Sequence, residues 1–70
     1  MSYYHTMLNL NPMTLRRRRE AAGLSQSELA QRIEYRTETI NRYENRKAKI
    51  PLAVQIALDN ALSEYEKPTE

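Results

Sequence analysis

Five residues in the middle of the chain, Arg36, Thr37, Glu38, Asn41 and Arg42, share a short segment with two apolar ones, Ile40 and Tyr43. Ile40 and Tyr43 stand three apart and point the same way on a helix, which turns the other five outward. Each of the five can hydrogen-bond, and none is spent on packing. The surrounding charge is lopsided. Residues 14–49 hold ten basic side chains against five acidic ones, whereas residues 50–70 hold Lys67 against Asp59, Glu64, Glu66 and Glu70. The chemistry on offer is directional hydrogen bonding beside a local excess of cations, a combination suited to a polyanion.

Other chemistries lack their parts. Without cysteine there is no disulfide, thiolate zinc site or cysteine nucleophile. His5 has no second ligand at metal spacing, so a surface histidine and no metal site are expected. Thr14, Ser25 and Ser27 have no histidine base nearby and read as helix caps. One glycine cannot build a phosphate-cradling loop. Seventy residues make one small domain with little interior for a catalytic cleft. Neither an enzyme, nor a cofactor, nor a small-molecule effector is expected. No apolar run approaches the roughly 18 residues of a membrane span, and no signal-peptide pattern opens the chain.

The elements that must position the five polar residues are legible from their punctuation. Asn11-Pro12 reads as a cap and first position of helix 1, over 12–22, which Gly23 ends. Ser25 to Glu28 is a capping box that opens helix 2, about 26–33, with Leu29, Ala30 and Ile33 on its apolar face. Helix 3 covers 37–45. Tyr35 is expected to plug the turn before it. Pro51 opens helix 4, which runs to about Leu62. The expected fold is all-α: a compact bundle of four to five helices. Residues 1–11 read as an N-terminal arm, either flexible or packed in extended form. Residues 12–62 form the domain, and 63–70 an acidic flexible tail. Two short helices crossing at about 90–120° share one small core, with Leu29 and Ile33 facing Ile40 and Tyr43 and with Ala30 small enough to be crossed.

At this point the stretch LRRRREAAGLSQSELAQRIEYRTETINRYENRKAKIP resembles the lambdoid phage repressor and Cro (XRE-like) family of helix-turn-helix DNA-binding domains. The agreement includes Gly23-Leu24-Ser25-Gln26, Glu28-Leu29-Ala30, Ile40, and Glu44-Asn45 followed by a basic stretch and Pro51. It covers about residues 13–62. The ending IPLAVQIALDNAL is similar, over a shorter span, to the last helix of small phage repressors that control anti-CRISPR operons.

The resemblance implies a lambda-repressor-like fold and a set of roles. Thr37, Glu38 and Arg42, flanked by Arg36 and Asn41, would read base edges. Ser25, Gln26 and Asn45 would contact phosphates, and Arg46, Lys47 and Lys49 would extend that clamp. Arg19 and Glu44 would form an internal ion pair. The chemistry of the residues agrees in part: Arg42 can donate two hydrogen bonds to guanine, Glu38 can accept from cytosine N4, and Thr37 can offer its hydroxyl or its methyl. An ion pair between Glu38 and Arg42, four apart, is the competing use of that pair. The family usually has Gly at the helix-turn-helix bend, where this chain has Glu34. Glu34 must take positive φ, at about 1 kcal/mol, or the turn is reshaped. Position 18 is often apolar in relatives and is Arg here.

Helix 4 carries two apolar stripes, Leu52 with Ile56, and Val54, Ala57, Leu58, Ala61 with Leu62. One stripe can be core and the other a dimer seam, or both can be core. The seam is expected on Val54, Leu58 and Leu62. The resulting expectation is a cytoplasmic, nucleoid-associated homodimeric repressor of transcription. It would bind an inverted-repeat operator in double-stranded DNA, with half-sites about one helical turn apart, and control its own phage or mobile-element operon. The alternative is an antitoxin that binds its promoter and, through residues 1–11 or the acidic tail, a toxin. A third reading keeps the fold as a protein-interaction module without DNA.

Overall fold

Asn11 opens the first helix as a capping box. Its Oδ1 accepts from the Thr14 backbone N–H at 2.9 Å, and Thr14 Oγ1 accepts from the Asn11 N–H at 2.8 Å. The computed structural model describes residues 10–66. Most of the N-terminal arm and residues 67–70 of the tail lie outside the described residues. Helix α1 spans Pro12–Ala21 and ends at Gly23, whose φ of +76° glycine adopts without a Cβ clash. Helix α2 spans Gln26–Arg32; Ser25 Oγ accepts from the Glu28 N–H at 3.0 Å and the Ser25 N–H donates to Glu28 Oε1 at 2.8 Å. Helix α3 spans Thr37–Glu44 and α4 Leu52–Ser63. The fold is all-α, without strands among the described residues, and no described helix is long and apolar enough to cross a membrane.

The turn between α2 and α3 keeps its shape at the cost of an unusual backbone. Glu34 sits at φ 60°, and the Tyr35 N–H returns to the Ala30 carbonyl at 2.8 Å. Of the two alternatives for a non-glycine bend, the chain adopts positive φ. Arg46, just past α3, does the same at φ 61°.

The core is built from Leu10, Leu15, Leu24, Leu29, Ala30, Ile40, Tyr43, Val54, Leu58 and Leu62. Fully burying a leucine or isoleucine stabilises by about 1.5–3 kcal/mol. Helix α3 packs on α2 and α1, while α4 packs on α2.

Three expectations are corrected. Val54, Leu58 and Leu62 are at most 5% exposed and fill the monomer's own core, so they form no dimer seam. So small a domain needs its longest apolar stripe inside, and the open stripe of α4 is Leu52 with Ile56. Tyr35 is 42% exposed and does not plug the turn, because the shared core is closed by Ile40 and Tyr43 instead. The tail does not begin at residue 63: Ser63 is helical, Tyr65 stacks 5.4 Å from the Arg32 guanidinium, and Glu66 is bonded to Arg18. Opposite charges and an aromatic face hold this segment on the domain.

Candidate nucleic-acid interface

Helix α3 divides its side chains cleanly. Ile40, Tyr43 and Glu44 are buried. Arg36, Thr37, Glu38 and Arg42 are exposed, and among the described residues their side chains make no hydrogen bond or ion pair. The Glu38–Arg42 ion pair is therefore not formed, and both heads stay open. Asn41, also exposed, donates through Nδ2 to Gln26 Oε1 at 3.2 Å. The five polar residues named from the sequence thus lie on the outward side of one short helix, with Asn41 tied to the start of α2.

That tie belongs to a longer network. Gln26 Nε2 donates to Glu44 Oε1 at 3.0 Å. Arg19 Nε donates to Glu44 Oε2 at 2.6 Å and Arg19 Nη2 to Oε1 at 3.0 Å, while Nη1 donates to the Leu24 carbonyl at 2.8 Å. Burial alone would push the Glu44 carboxyl up. The hydrogen bonds from Arg19 and Gln26, with the charges of Arg19 and Arg16, outweigh it and hold the carboxyl below its ordinary range. The hydrogen bond to Glu44 in turn raises Arg19 above its ordinary value. Every polar atom in this buried cluster is matched, so α1, α2 and α3 are fixed in one relative orientation.

The flanking residues sit at the two ends of α3 and the start of α2. Ser25 is exposed, but its Oγ is committed as an acceptor to the helix cap. Asn45 caps α3, its Nδ2 donating to the Asn41 carbonyl at 2.9 Å. Arg46, Lys47 and Lys49 are exposed; with Leu10, Asn11 and Pro12 they line an open cleft of about 510 Å³. The Lys47 N–H donates to the Arg42 carbonyl at 2.8 Å, which turns this basic loop back along the end of α3.

Sequence reasoning missed one cluster. Arg18 donates through Nε and Nη2 to Glu66, both at 2.7 Å, and through Nη1 to Asp59 at 2.8 Å. Asp59 is itself buried. The signal was present as a lone acid in the middle of an apolar helix, matched by an Arg where relatives are often apolar.

Helices α2 and α3, with the tight turn between them, form a helix-turn-helix in which the second helix presents an open polar side. Residues 13–64 match the helix-turn-helix domain family. The chain belongs to the helix-turn-helix domain family. No curated protein and no solved structure matches it. Helix-turn-helix domains of the DNA-binding kind set the second helix in the major groove. The second helix of the motif in this chain is α3, and the buried Arg19–Glu44 pair ties its last residue to α1.

Proposed function

We propose that this helix-turn-helix protein is a sequence-specific repressor that reads double-stranded DNA with the outer side of α3. The supporting observation is the open state of Arg36, Thr37, Glu38 and Arg42 at a helix whose Ile40, Tyr43 and Glu44 are buried and whose Asn41 is bonded to Gln26. Arg42 would pair with guanine, Glu38 with cytosine, and Thr37 with a thymine methyl or a base edge. Arg36 and Asn41 flank them. Ser25, Gln26, Asn45, Arg46, Lys47 and Lys49 would hold phosphates and set the register, since phosphate contacts position and base contacts specify.

The repressor would bind an inverted repeat as a two-fold dimer, matching the symmetry of its site. The resemblance to lambdoid phage repressors supports control of its own operon. The apolar side chains open to a second copy on α4 are Leu52, 63% exposed, and Ile56, 46% exposed. Two such side chains fall far short of the roughly 800 Å² that each partner of a stable interface buries. Pairing would therefore be completed on the DNA. Selection of bound duplexes from a random pool tests the reading. Enrichment of a palindromic consensus supports it; absence of any enrichment in dilute buffer overturns it.

A further inference from the structure

The run Arg16 to Arg19 distributes four guanidinium groups round one helix, and the fold uses them unequally. Arg18 has its Nε, Nη1 and Nη2 bonded to Glu66 and Asp59. Arg19 has all three nitrogens bonded to Glu44 and Leu24. Arg17 reaches the Met13 sulfur at 3.7 Å, and helical geometry sets it about 100° round from Arg16, on the outer side of α1. Arg16 differs from all three. Its side chain is 58% exposed, and its Nε lies 3.7 Å from Glu20 Oε2 and 3.9 Å from Glu44 Oε1. Its two terminal nitrogens donate to nothing among the described residues.

The oxygen that Arg16 faces is the one that accepts from both Arg19 and Gln26, and Gln26 in turn accepts from Asn41 on α3. Arg16 is therefore one carboxylate oxygen away from the start of α2, on the side where the proposed interface begins. Glu44 cannot sequester it, because that carboxylate is already neutralised and hydrogen-bonded by Arg19. Glu20 is exposed, and ion pairs of that kind contribute little.

We infer that Arg16 is a phosphate-contacting residue that carries the duplex footprint onto α1. The inference rests on the DNA-binding reading of α3. A guanidinium with unfilled donors suits bidentate contact with a phosphate, and the two nearby carboxylates aim it without consuming it.

The experiment uses the full chain with Arg16→Ala, Arg16→Lys and Arg17→Ala. Affinity is measured against graded salt on the duplex selected above and on an unrelated duplex. Losing one phosphate contact makes the slope of log affinity against log salt shallower by about 0.9. Arg16→Ala shows this change on both duplexes, Arg16→Lys keeps the original slope, and Arg17→Ala, with the same loss of charge, also keeps it. Should the alanine variant fold poorly by thermal melt, Arg16→Gln reads the loss of charge with the stem retained. Equal slopes for Arg16→Ala and Arg17→Ala overturn the assignment, as does a loss confined to the selected duplex. Failure of the unaltered chain to bind either duplex overturns the DNA-binding reading, and this assignment with it.

Discussion

Arg19 on α1 and Glu44 on α3 meet through two hydrogen bonds, of 2.6 and 3.0 Å, in a site where the Glu44 side chain is 1% exposed. The pair anchors the buried end of α3, whose outer side is open. Its geometry therefore sets the orientation of the open face, and the consequences can be measured.

Removing one partner leaves a buried charge unmatched. Arg19→Ala is expected to cost about 3–5 kcal/mol in urea unfolding. The pH dependence has a definite sign. Glu44 titrates below its ordinary range in the fold, so its contribution is complete above the unfolded value of about 4.3 and is lost as pH falls through the folded value. Glu44→Gln should flatten the acid limb of stability against pH. An unchanged acid limb would remove the pair from this role.

The Arg18 cluster behaves differently because it is half open. Arg18→Ala should cost about 1–3 kcal/mol, chiefly by stranding the buried Asp59 carboxylate. Glu66→Gln, at the exposed end, should cost about 0–1 kcal/mol. Replacing Arg18 and Asp59 together by leucine should recover most of the first loss, since well-packed apolar residues often substitute for a buried ion pair. A double variant as unstable as Arg18→Ala would contradict that account.

Glu34 pays a backbone penalty for its positive φ. Glu34→Gly relieves strain of about 1–2 kcal/mol but adds unfolded-state entropy of about 0.5–1 kcal/mol. The expected net is a gain of up to about 1 kcal/mol, read as a higher melting temperature. Glu34→Val should move the other way, because a β-branched residue tolerates that conformation poorly.

The two apolar stripes of α4 predict opposite phenotypes. Leu58→Ala should destabilise the monomer by about 2–5 kcal/mol, since that side chain is fully buried. Ile56→Asp, on the open side, should leave the melting temperature close to that of the parent chain while weakening cooperative binding to an inverted repeat. Undiminished cooperativity in Ile56→Asp would move the proposed dimer contact elsewhere.

On the proposed DNA-binding reading, base reading and backbone clamping should separate in the same way. Arg42→Ala should relax preference at one base position by about 1–3 kcal/mol of discrimination. Lys47→Ala should weaken all sequences alike and make the salt slope shallower by about one unit. A uniform loss in Arg42→Ala would show that α3 enters the groove in a different register.

Local punctuation marked three of the four helices, and the spacing of Ile40 and Tyr43 marked α3. Asn11-Pro12, Gly23, the Ser25–Glu28 box and Pro51 act through bonds to their own neighbours, so their meaning survives without a fold. The outward set on α3 was legible for a related reason: Ile40 and Tyr43 claim one side of a short helix and leave the rest. Three outcomes had no local signature. Which stripe of α4 becomes core depends on what lies opposite it, and only packing places Val54, Leu58 and Leu62 against the other helices. The four arginines of α1 are identical in sequence; contacts 25 to 48 residues away make two of them structural. Gln26 and Asn41 are both polar and both near the face, yet their mutual bond exists only because α2 and α3 cross where they do. Pairings between distant side chains are settled by the relative placement of helices, and that placement follows from burying the core as a whole.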